Sequence, residues 1–125
     1  MIVYDAYRPL RASRAMVDWA RRTGRTWLFT QGYIAYPSNH NRGTTIDLAL
    51  VRRRDGHRLE MGTAYDSASR RAWTYNASGR ILSRRLTLVR AMAAEGFRNY
   101  RQEWWHFDSV RRGPSVLDTP IGCGR

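Results

Sequence analysis

The chain has 125 residues, enough for one domain and one hydrophobic core. Its 22 basic residues outweigh 10 acidic ones for a net charge of +12, and the basic residues are Arg. The single cysteine, Cys123, excludes an internal disulfide and a Cys-rich metal site. Such a charge keeps nucleic acid or an anionic surface among the possible partners. The arginines are scattered rather than gathered in one tract, so nucleic acid is not expected. No apolar run approaches the length of a membrane span. Asp5 interrupts the opening apolar stretch and no basic region precedes it, so no signal peptide is read and a cytoplasmic location is expected.

Ile2-Val3-Tyr4 reads as a buried strand that ends at Asp5-Ala6-Tyr7-Arg8-Pro9. Pro9 restricts Arg8 to an extended conformation and so projects its side chain from a loop. Residues 11–22 read as an amphipathic helix with Ala12, Ala15, Met16 and Trp19 on its core face, stopped by Thr23-Gly24. Thr26–Thr30 is expected as a short strand, and 31–43 as a loop.

In the strand expected over Thr44–Val51, Thr45, Asp47 and Ala49 share one face and Ile46, Leu48 and Leu50 the other. The first of these faces is polar near its start, as in a strand bordering a site. Asp55-Gly56 signals a hairpin, with His57–Met61 as the returning strand and His57 exposed. Ser67–Ser78 is polar and irregular, with Trp73 and Tyr75 expected to tuck it down. The clearest helix runs from about Ser78 to Glu95, with Leu82, Leu86, Val89 and Ala93 as its stripe, and Ile81, Leu88 and Met92 widening it. Gly96 suits its C-terminal cap. Phe97–Tyr100 is extended, Glu103–Asp108 is the last strand, and residues 111–125 form a tail after a domain of 1–110. The composite is α+β: a small, mostly antiparallel sheet with two main helices packed on it.

His40 and Asp47 are good zinc ligands seven apart, with Gly43 between them to let the chain turn. Glu103-Trp104-Trp105-His106 adds a second imidazole and a spare carboxylate much later. His40, Asp47 and His106 with Glu103 make up the inventory of a catalytic zinc site: three ligands, an open position for water, and a base beside it. On a regular strand Glu103 and His106 would face opposite ways, so both reach one metal only if the chain bends around Trp104-Trp105. Arg8 could offer a fork of donors, cationic at any working pH, to the oxyanion of a tetrahedral intermediate.

Tyr7-Arg8-Pro9, Ser38-x-His40-x-x-Gly43-x-x-x-Asp47, Met61-Gly62-Thr63-x-x-Asp66 and Glu103-Trp104-Trp105-His106 together resemble the D-alanyl-D-alanine dipeptidases. These form the VanX-like branch of the zinc D-Ala-D-Ala peptidases, which share a fold with Hedgehog. All four blocks agree in order and spacing, between residue 2 and about 108. The resemblance implies one zinc on His40, Asp47 and His106, with Glu103 as general base and acid and Arg8 as transition-state stabiliser. It also implies that Ser38 holds the substrate carboxylate and that Asp66 meets the free ammonium of a small D-amino-acid dipeptide. The expected reaction is hydrolysis of D-alanyl-D-alanine to two D-alanines. The alternatives are a related peptidoglycan carboxypeptidase or endopeptidase, and a non-catalytic basic binding module. Relatives carry several dozen residues ahead of the first strand, including a tyrosine at the substrate amine, so the chain is expected to be short at its N-terminus.

Overall fold

The computed structural model describes residues 1–122. Cys123 and the end of the expected tail lie outside the described residues. Four strands form one antiparallel sheet: β1 (Ile2–Asp5), β2 (Thr45–Ala49), β3 (Phe97–Asn99) and β4 (His106–Ser109), in the spatial order β1-β2-β4-β3. Three α-helices accompany it: α1 (Leu10–Arg22), α2 (Trp27–Thr30) and α3 (Gly79–Ala94). The α+β architecture with two main helices is thus as the sequence indicates. Among the described residues, no helix is long and apolar enough to cross a membrane.

The central pair, β2 and β4, sorts its side chains by strict alternation. Ile46 lies opposite Phe107, Asp47 opposite His106, and Thr45 opposite Asp108. Ile46, Leu48 and Phe107 therefore face one way and join the core with Leu88 and Met92 of α3 and with Trp104 and Trp105. Thr45, Asp47, His106 and Asp108 face the other way. Apolar burial on one side thus anchors a polar cluster on the other.

Several local expectations are corrected. β1 is an edge strand, with Ile2 and Val3 exposed, because only β2 pairs with it. Thr26–Thr30 folds as the short α2: its β-branched and aromatic residues suit a strand, but Leu28 must face inward, and its carbonyl accepts from both Tyr33 and Ile34. On α1 the buried positions are Ser13, Val17 and Ala20, whereas Ala15 and Trp19 are exposed. The face turns because Ser13 is held by the buried Asn41, whose Nδ2 donates to Ser13 Oγ at 2.8 Å. The Asp55-Gly56 turn forms, but its returning arm makes only a bridge of Arg58 to Val51 rather than a strand, and His57 is exposed. In the irregular segment Thr74 is buried and Tyr75 exposed. Thr74 is anchored by its own hydroxyl, which donates to Asn99 Oδ1 at 2.6 Å.

α3 spans Gly79–Ala94, close to its expected limits, and Gly96 at φ +80° completes the turn after it. Its buried line is Arg85, Leu88 and Met92, with Ala93 exposed. The last strand begins only at His106; Glu103, Trp104 and Trp105 form a turn in which His106 N–H donates to Glu103 O at 3.3 Å. Residues 111–122 have no regular secondary structure but lie against the start of α1. Leu117 N–H donates to Asn41 O at 2.8 Å, Leu10 N–H to Leu117 O at 3.1 Å, and Arg11 pairs with Asp118.

Gly62 is a position that only glycine fills without strain. It has φ +93°, and a Cβ there would lie 2.7 Å from Ile81 Cγ2 and 2.9 Å from an Arg85 guanidinium nitrogen. Gly62→Ala is expected to cost about 1–3 kcal/mol in urea unfolding, since both the backbone and its neighbours must shift. An unchanged midpoint would show that the 61–66 segment is looser than its contacts imply.

Candidate metal centre

Each polar side chain of the site has its own positioning device. His40 rides on a 3-10 turn, Asn39–Arg42, which Gly43 ends at φ +65° before the chain enters β2. The buried Asn41 clips that turn to its surroundings: its amide donates to Arg8 O and Ser13 Oγ, and its carbonyl oxygen accepts from Ser38 N–H, all at 2.8 Å. The His40 ring is fixed at its far nitrogen, where Nδ1 lies 2.7 Å from Ala6 O and 3.7 Å from Asp5 Oδ2. A donor bond to a carbonyl there leaves Nε2 as the free lone pair. Asp47 and His106 are brought together by the β2–β4 register.

The convergence is close. Asp47 Oδ1 lies 3.5 Å from His40 Nε2 and 3.2 Å from His106 Nδ1. The three ligand atoms of His40, Asp47 and His106 lie within 4.8 Å of one another. Asp47 Oδ1 is buried and has no hydrogen-bond partner among the described residues. A buried carboxylate oxygen without a donor is costly. Two imidazole nitrogens and an orphaned carboxylate oxygen aimed at one point fit a divalent cation. The other Asp47 oxygen, Oδ2, accepts from Tyr65 Oη at 3.0 Å. His106 Nε2 lies 3.4 Å from Asp108 Oδ1, which also accepts from Thr45 Oγ1 and from Asn39 Nδ2.

The charges respond to this crowding. Burial opposes the charge on Asp47, but the two facing imidazoles hold its carboxyl down at about 2. Burial likewise opposes a cationic His106, yet Asp108 and Asp47 hold its ring up at about 10. A cation seated among these groups would take the place of the protons they share. Glu103 is pushed up to about 7, chiefly by burial, with His106 working against the shift and Asp47 adding to it. Burial also keeps the Tyr65 phenol protonated, reinforced by the charge on Asp47.

Around this centre lies an open cleft of about 420 Å³, and Arg8, Ser38, His40, Asp47, Asp66, Glu103 and His106 all line it. The cleft thus gathers every candidate residue named from the sequence. Glu103 Oε2 sits 3.4 Å from His106 Nδ1; the turn at Trp104-Trp105 supplies the bend that the spacing demands. Arg8 is paired with Asp5 through Nε and Nη2 and also reaches Met16 Sδ at 3.3 Å. Ser38 Oγ is buried without a hydrogen-bond partner among the described residues. Asp66 occupies the left-handed region at φ +62°, which an Asp tolerates, and partial burial followed by the nearby Asp47 raises its carboxyl's pKa.

Sequence reasoning missed the supporting residues Asp5, Asn41, Tyr65 and Asp108. A signal existed for Asp108, two residues beyond His106 and so on the same strand face. None existed for Asn41 or Tyr65, which act across 28 and 18 residues of chain.

An α+β domain that brings His40 of a 3-10 turn, Asp47 of β2 and His106 of β4 together beside a buried glutamate has a donor set that could hold a metal ion. Comparison with known proteins makes that specific: the D-Ala-D-Ala dipeptidase family profile matches residues 1–123, and the chain belongs to that family. It is 33% identical over 125 residues to a D-alanyl-D-alanine dipeptidase of Enterococcus faecalis, covering 88% of this chain and 62% of that protein. It is 32% identical over 141 residues to one of Enterococcus faecium, covering 97% and 68%. With one of Escherichia coli it shares 36% identity over 110 residues, covering 86% and 54%. The chain thus spans between about half and two-thirds of the length of these curated relatives.

Proposed function

We propose that the protein is a zinc-dependent dipeptidase that hydrolyses D-alanyl-D-alanine to two D-alanines, with residues 1–110 as catalytic unit and 111–125 as a tail. His40 Nε2, Asp47 Oδ1 and His106 Nδ1 would hold the metal. When bound, zinc supplies a Lewis acid that acidifies water and polarises the scissile carbonyl. Glu103 accepts the proton of the attacking water and delivers it to the departing amine. Its burial suits this double duty, because a carboxyl with a pKa near neutrality can both take and return a proton. Arg8 turns its guanidinium toward the oxygen on which charge develops; Asp5 keeps that side chain from wandering. The unpartnered Ser38 hydroxyl donates to the substrate carboxylate, and Asp66 pairs with the substrate ammonium.

The observation that carries this reading is the orphaned Asp47 Oδ1 between two imidazole nitrogens, with Glu103 beside them in the same cleft. Membership of the dipeptidase family and the names of the relatives support the choice of substrate. The test is D-alanine release by zinc-loaded protein from D-alanyl-D-alanine and from its N-acetyl derivative. The free dipeptide is expected to be cleaved and the acylated one spared, because acylation removes the cation that Asp66 pairs with. Preference for the acylated substrate would move the protein to the carboxypeptidases. Salt-sensitive binding to polyanions with no hydrolysis would make it a binding module.

A further inference from the structure

We infer that Tyr65 is a positioning residue that restricts Asp47 to one-oxygen ligation and thereby sets the coordination number of the metal; this rests on the metal-site reading above. A carboxylate can hold a cation through one oxygen or both. Here the two oxygens of Asp47 are treated differently. Oδ2 is engaged by the Tyr65 hydroxyl at 3.0 Å, while Oδ1 is left bare and faces His40 and His106. Two-oxygen ligation would fill a position that water and substrate need in a hydrolytic centre.

The hydroxyl cannot easily drift from Oδ2, because the Tyr65 ring is clamped. It stacks on Tyr4 with centroids 4.3 Å apart and planes 19° from parallel, and meets Trp105 edge-on at 5.5 Å. Tyr4 lies where the β1–β2 register shifts, between Val3 and Asp5, and its hydroxyl accepts from Arg58 at 3.2 Å. A phenylalanine would serve the stacking equally well, so packing alone does not call for the phenol oxygen.

Tyr65→Phe separates the two roles, since it keeps the ring and removes only the hydroxyl. Zinc affinity would be measured by competition with a chromophoric chelator. The visible spectrum of the cobalt(II)-loaded protein would be recorded alongside, as would the melting of the metal-free chain. The expected result is zinc binding weakened about 10–100-fold. The cobalt bands should lose intensity as Asp47 becomes bidentate and coordination rises, with metal-free melting close to that of the parent. Parent-like zinc affinity together with a parent-like cobalt spectrum in Tyr65→Phe would overturn the inference. It would leave the metal site itself intact, provided Asp47→Ala abolishes binding. If the unsubstituted chain binds neither zinc nor cobalt, the metal-site reading fails and this inference with it.

Discussion

Glu103→Gln is expected to keep the metal and lower D-alanine release by about 10²–10⁴-fold, the usual worth of a placed general acid–base. The prediction depends on the substitution changing chemistry and little else. Residue 103 is fixed by its backbone: its N–H donates to Tyr100 O at 3.0 Å, and its carbonyl accepts from Asn99 Nδ2 at 3.1 Å. The same Asn99 amide donates to His106 O at 3.0 Å, so one side chain locks both ends of the turn. Glutamine fits that space but cannot accept a proton and return it. Metal content by atomic absorption and D-alanine release by a coupled oxidase assay make the two readouts. A variant within tenfold of the parent rate would remove Glu103 from the chemistry. Loss of metal in the variant would make it a structural support of His106 instead.

The second large effect is on stability. Arg85 is 1% exposed, and its guanidinium donates to three backbone carbonyls: Met61 at 2.8 Å, Trp73 at 2.8 Å and Arg71 at 3.1 Å. These acceptors lie along the irregular segment that carries Tyr65 and Asp66. One side chain thus holds a stretch with little regular hydrogen bonding of its own. Arg85→Ala removes the side-chain donor from Met61 O and Arg71 O, leaves Trp73 O with the Asn76 N–H alone, and opens a void under α3. Each unmet buried acceptor costs about 1–3 kcal/mol, part of it recovered as water enters and the segment relaxes. A net loss of about 3–5 kcal/mol is expected in urea unfolding, a large share of the roughly 5–15 kcal/mol typical of a domain. A change below about 1 kcal/mol would show that the segment is held by something else.

These two residues also mark what could be read from the sequence and what could not. The place of Glu103 beside His106 was visible because residue type and spacing are both written in Glu103-Trp104-Trp105-His106. Even the bend there follows from the requirement that both side chains reach one point. Arg85 was not visible. It lies within the apolar periodicity of α3 as an interruption, and its partners are backbone carbonyls, which have no sequence signature. The same limit explains α1: its facing is set by a Ser13–Asn41 hydrogen bond, so counting apolar positions put Trp19 on the wrong side. The sheet was legible in its central strand, where polar and apolar faces alternate. It was poorly legible at β1, because an apolar trio does not reveal that its strand will lie at an edge.

The pairing of Asp47 with His106 across β2 and β4 has a consequence for assembly. The spacing of side chains along a strand is two, so a slip of a single position would send the carboxylate and the imidazole to opposite sides of the sheet. If β4 is the strand that slips, Phe107 leaves the interior at the same moment, while Leu48 stays. Correct hydrophobic closure and assembly of the proposed cation cage would therefore be one event, and uptake of a metal would report that the strands have found their alignment.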